Sequence, residues 1–217
     1  MAAPAVTLKA PRAAAVAGIL FSLLLIASVL LVRVSVPADP REAGAWLTTR
    51  APTVALAMNL VPLSGVAFLW FIGVLRDRLG RHEDRLFATV FLGSGLLFLA
   101  MLFVSAAMAG GIMLLHAADP GRFAGSQTFA FARAIVYEIV NIYALKMAAV
   151  FMMVISTIAL RTRFLARWVA LLGYAIALTL IFNNRYVEWM LLTFPLWVLL
   201  VSLYILWDNL HGRRGAA

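Results

Sequence analysis

The stretch Ser126–Arg163, SQTFAFARAIVYEIVNIYALKMAAVFMMVISTIALRTR, decides what kind of chain this is. It is apolar over more than the roughly 20 residues that a membrane-spanning helix needs. Yet it carries Arg133, Glu138, Asn141 and Lys146. No other apolar stretch of the chain holds an ionisable residue so far from its ends. Charge in hydrocarbon costs about 3 kcal/mol per residue on insertion scales, so each of these residues needs a partner or a task.

The rest of the chain sets the same solvent. Of its 217 residues, 65% are hydrophobic and 12% charged, with a mean hydropathy of +0.99. A soluble domain is about half apolar and a quarter charged, so both departures indicate lipid. The length suits a single bundle. There is no cysteine, which excludes a disulfide framework, a thiolate metal site and a cysteine nucleophile. The net charge of +9 falls mainly on arginines in short loops between apolar runs. That placement favours membrane orientation and anionic headgroups over nucleic acid.

Six spans are predicted, at about 13–34, 53–75, 86–115, 128–160, 168–184 and 187–207. The first has too long an apolar core for a signal peptide, and Pro37 and Pro40 end it. Trp46 is read as an interfacial residue in the loop that follows. Pro62 is expected to kink the second span. The turn RDRLGRHEDR, 76–85, is read as a solvated connection, with His82 at its surface. The third span is longer than a bilayer requires and must tilt, kink or protrude. Its small residues Ser105, Ala106, Ala107, Ala109, Gly110 and Gly111 recur four apart. That spacing lets two helix backbones approach closely, within the bundle or against a second copy. The fifth span is short unless Asn183 and Asn184 belong to it.

With six spans, eleven of the eighteen Lys and Arg residues lie on the side of the termini and six on the other, with Lys146 between. The excess marks the cytoplasmic side. The fold expected is therefore an all-α polytopic transmembrane bundle of six spans with both termini cytoplasmic. In a five-span version the fifth segment is re-entrant and the C-terminus lies outside.

Asn59–Phe98 and Arg185–Leu206 resemble segments of uncharacterised six-span integral membrane proteins of high-GC bacteria. The resemblance implies a multi-pass protein of a bacterial cytoplasmic membrane. It brings no activity, substrate or site with it.

Several chemistries are excluded. The histidines, His82, His116 and His211, are not mid-membrane and fall on two sides, so they cannot hold an intramembrane zinc or a bis-histidine haem. No P-loop sequence is present. No metal and no cofactor is expected, and nothing requires an enzyme.

The fourth span carries what remains. At 100° per residue, Arg133, Tyr137, Asn141 and Glu138 share one polar stripe, and Lys146 lies at about 220° from Arg133. Lys146 needs a carbonyl, a tyrosine, water or an acid from another helix, for which Glu188 is the nearest candidate. In one reading the stripe is a buried network that locks the bundle, with Arg133 reaching up to the interface and Glu138 coupled to Lys146. In another, Tyr137, Glu138, Asn141 and Lys146 line a cavity open to the outer side, with Arg133 near its mouth. Such a cavity serves a small solute, an ion or protons, in a transporter-like protein. A structural or accessory subunit without a ligand, and an enzyme on a lipid-phase substrate, are the competing classes. The expected partners are the bilayer, a small solute or ion, and a second copy through the third span.

Overall fold

A computed structural model describes residues 10–37, 44–79, 85–183 and 189–211. Lys9, Asp39, Arg41, His82, Asn184, Arg185, Glu188 and the terminal arginines, on which sequence readings rest, lie outside the described residues. Among those described, the chain is all-helical. Its long helices are α1 (Ala10–Ser35), α2 (Ala51–Leu79), α3 (Arg85–Ala118), α4 (Gln127–Thr162), α5 (Arg167–Phe182) and α6 (Met190–His211). Single turns at Trp46–Thr49 and Pro120–Phe123 lie between α1 and α2 and between α3 and α4.

Five of these helices, α1 to α4 and α6, are long and apolar enough to cross a membrane. This is a multi-pass membrane protein by length and composition. The sixth, α5, is apolar but has 16 residues, about 24 Å at 1.5 Å per residue, against a hydrocarbon thickness of about 30 Å. The helix ends follow local chemistry. Ser126 caps α4, its Oγ accepting from the Phe129 N–H at 3.1 Å. Arg163 ends α4 in the left-handed region at φ 57°, its N–H donating to the Ala159 carbonyl.

The middle of the bundle is packed with phenylalanine. Phe21, Phe68, Phe98, Phe151 and Phe194, from five helices, are all fully buried. Their ring centroids lie from 4.5 Å (Phe21–Phe68) to 6.5 Å (Phe21–Phe98) apart, mostly tilted or edge-on. Aromatic pairs prefer such geometry over a face-to-face sandwich. Tight helix approaches sit at this level and toward the Arg161 end. A Cβ on Gly18 of α1 would collide with Ser202 of α6 and lie 2.8 Å from the Phe71 ring. One on Gly173 of α5 would lie 2.8 Å from the Trp197 Nε1 of α6. The pairing of Phe21 with Phe194 and of Gly18 with Ser202 makes α1 and α6 antiparallel neighbours. The start of α1 and the end of α6 therefore lie at one end of the bundle.

A second, smaller core closes the opposite end. Trp46, Leu47, Val54, Ile112, Phe123 and Phe129 pack together there, with Phe123 edge-on to Phe129 at 5.8 Å. The two single-turn helices supply Trp46, Leu47 and Phe123, so they form a lid over the long helices.

The small-residue stretch of α3 packs toward α4 on one face and has no close neighbour among the described residues on the other. Ala107 is exposed, and a Cβ on Gly110 or Gly111 would meet nothing within 4 Å. Ser105, Ala106 and Ala109 instead border a void.

Candidate ligand cavity

Between the two cores lies a cavity of about 170 Å³, walled by α1, α2, α3 and α4 and roofed by Trp46. Its cause is local. At this level α3 presents Ser105, Ala106 and Ala109, whose side chains are too short to fill the space between the helices. The remaining wall is mostly aliphatic, with Leu25 and Val29 on α1, Val61 on α2 and Leu102 on α3.

The polar groups on the wall fall into two sets. Ser28 and Ser105 turn their hydroxyls to backbone carbonyls, of Ala57 at 2.8 Å and Met101 at 2.8 Å. Trp46 Nε1 and Asn141 Oδ1 are buried without a hydrogen-bond partner. An unmet buried donor or acceptor costs about 1–3 kcal/mol. The two atoms are complementary in kind, a donor at the roof and an acceptor on α4. Two arginines, Arg33 and Arg133, also line the cavity. Arg133 is only 5% exposed, and its Nη2 donates to the carbonyl of Pro37 at 2.7 Å. The guanidinium thus ties the start of α4 to the residues just past α1.

A π turn over Ile139–Ala144 interrupts α4 beside the cavity. In it the Asn141 Nδ2 donates to the Tyr137 carbonyl at 2.9 Å. Side chains inserted into the helical ladder accompany such local distortions, and single π turns are frequent at functional sites. The wider turn also breaks the 100° count. Tyr137, Val140 and Asn141 face the cavity, while Lys146, beyond the turn, faces α5.

The five residues singled out in the sequence therefore separate. Arg133, Tyr137 and Asn141 share the cavity wall. Glu138 is exposed and lies outside it. Lys146 is half-buried, and its Nζ donates to the Ile181 carbonyl at 3.1 Å. Ile181 is in the last turn of α5, where carbonyls have no intrahelical donor and the helix dipole is negative. Lys146 thus caps a helix that stops short of the far end, and each of the two oddities of the sequence accounts for the other. Counting about 20 residues of hydrocarbon back along α4 from Arg161 reaches Asn141. Lys146 falls inside that count and Glu138 outside it.

Arg33 and Trp46 enter the site without having been singled out for it. The available signal is antiparallel register. Arg33 near the end of α1 and Arg133 near the start of α4 must come level when these helices run in opposite directions. His116, 7% exposed with its Nδ1 unpartnered, is at the end of α3 and is not part of the cavity wall.

No family model matches the chain, and no curated protein or solved structure is similar enough to be matched to it.

Proposed function

We propose that this is a membrane-embedded binding or transporter-like protein that holds a small molecule in the cavity between α1, α2, α3 and α4. The observation that carries the reading is one wall bearing both an unmet donor, Trp46 Nε1, and an unmet acceptor, Asn141 Oδ1. A purely structural void does better with apolar walls, because a dry cavity leaves such groups unsatisfied. The site is Arg133, Tyr137 and Asn141 on α4, with Arg33 and Trp46 added. Glu138 belongs to the surface and Lys146 to the α5 cap.

The orientation that goes with this reading is that of a multi-pass protein of a cytoplasmic membrane. Both termini and the arginine-rich turn 161–167 face the cytoplasm, and the cavity faces the other side. Lys146 favours the accessory-subunit class to this extent: its contact with Ile181 is architectural.

Native mass spectrometry of the protein released directly from its membranes tests the reading. The wild type is expected to carry one bound small molecule per chain, and the cavity-filled variant Ala109→Phe none. Identical spectra for a folded Ala109→Phe and the wild type would remove the cavity from the function.

A further inference from the structure

The volume of the cavity and the polarity of its wall limit what it can hold. At about 170 Å³ it is close to the engineered protein cavity of roughly 150 Å³ that binds benzene. It has room for one six-membered ring with small substituents, and none for a second ring. Water is a poor filling. A buried water needs two to four polar partners, and a space of this size would take about five waters at roughly 30 Å³ each. Leu25, Val29, Val61 and Leu102 offer them none. Ser28 and Ser105 have already turned their hydroxyls to backbone carbonyls. A plain hydrocarbon fits poorly too, because it leaves Trp46 Nε1 and Asn141 Oδ1 unmet.

Resting on the binding reading above, we infer that the occupant is an uncharged, hydroxylated molecule the size of one six-membered ring. The two unmet atoms set its polar chemistry. Trp46 is 7% exposed, and its indole N–H can only donate. The amide of Asn141 is oriented by its own bond. Its Nδ2 donates to the Tyr137 carbonyl inside the π turn, which leaves Oδ1 as the acceptor. The occupant must accept at Trp46 and donate at Asn141, and hydroxyl groups do both. Nothing on the wall asks for charge. Both of its arginines already have partners, the Pro37 carbonyl among those of Arg133. A net charge would lose its hydration against a wall that is mostly aliphatic.

The test uses the full chain in nanodiscs of phosphatidylcholine at neutral pH. Four probes are compared at equal mole fraction in the bilayer: hydroquinone, para-xylene, benzoate and dihydroxybiphenyl. Hydroquinone is expected to bind at least about tenfold more tightly than para-xylene, which has its shape but no polar atom, and than benzoate. Dihydroxybiphenyl, one ring too long, is expected to bind the wild type no better than it binds Ala109→Phe. Trp46→Phe keeps an aromatic roof without the N–H and is expected to lower the hydroquinone to para-xylene ratio severalfold. Should Trp46→Phe fail to fold, Asn141→Leu removes the acceptor and is read by the same ratio. An unchanged ratio in either folded variant, tighter binding of benzoate, or binding of dihydroxybiphenyl as tight as that of hydroquinone would overturn the inference. Equal binding of hydroquinone and para-xylene, both lost in Ala109→Phe, would overturn the polar match and leave the binding cavity standing. No probe binding above the level of Ala109→Phe would also overturn the inference. The binding reading falls with it only if the native mass spectra of wild type and Ala109→Phe are identical as well.

Discussion

The middle of this molecule and its capped end are built by the same helices and packed in opposite ways. Around Phe68, rings from α1, α2, α3, α4 and α6 interlock, and glycines such as Gly18 and Gly173 bring backbones together. Some turns further along, α3 offers Ser105, Ala106 and Ala109, and four of these helices, α1 to α4, enclose a cavity. In a bilayer, helices gain little from hydrophobicity, because lipid is as apolar as leucine. Contact area decides cohesion, so the phenylalanine layer holds the bundle and leaves the capped end free to be hollow. Small residues do not by themselves signal close approach. Gly18 does because Ser202 and Phe71 lie against it, and Gly110 does not because nothing does.

The largest expected effect breaks the packed side. Phe68→Ala should cost about 3–5 kcal/mol, read from thermal unfolding in detergent, because a close-packed site cannot collapse around the loss. Leu102→Ala on the cavity wall should fall at the low end of the core range, about 2 kcal/mol. Equal losses would mean that the two regions are packed alike.

Overfilling gives the next contrast. Ala148, fully buried on α4, has no room to grow, and Ala148→Leu should cost about 1–3 kcal/mol. Ala109→Leu grows into the void and should stay within about 0.5 kcal/mol of wild type or stabilise the protein. Gly110→Leu should also be near neutral, since its Cβ meets open space. A large loss at Gly110 would place a second copy against that face.

A third pair sharpens the account of the charges. Lys146→Met removes a donor from the Ile181 carbonyl and should cost about 1–3 kcal/mol. Glu138→Gln, at an exposed position, should change stability by less than about 0.5 kcal/mol. In a double-mutant cycle the two should be additive to about 0.3–0.5 kcal/mol. A larger coupling would restore the polar network that the sequence led one to expect.

What was legible in the sequence was whatever depends on lengths of apolar chain. Spans expected at 13–34, 53–75, 86–115 and 128–160 correspond to α1, α2, α3 and α4, and the short fifth and the sixth segments to α5 and α6. The excess length of the third span is there too, as the 34 residues of α3. The polar stripe was legible as far as Arg133, Tyr137 and Asn141, because regular α-helix holds up to the π turn. Lys146 was already off the stripe by the regular count, at about 220°, with a carbonyl among its expected partners. That the carbonyl is Ile181 depends on where α5 ends, which no local composition marks. The stripe failed at Glu138. The 36 residues of α4 exceed a hydrocarbon layer, so a charge far from the helix ends need not be in lipid. Trp46 was placed by its loop as an interfacial residue. Its burial at 7% exposure depends on Val54, Ile112 and Phe129, which only the tertiary fold brings to it.

The contrast between hollow and packed regions is tested most directly by cysteine reactivity, since the chain contains no cysteine of its own. Ser105→Cys places a thiol on the cavity wall, and Ser156→Cys places one in the packed region, where Ser156 is fully buried. Both are near-isosteric. Treated with methyl methanethiosulfonate in native membranes, Cys at 105 should react at least about tenfold faster than Cys at 156, which reacts only through local opening. Equal rates at the two positions, or an inert thiol at 105, would contradict a reachable cavity.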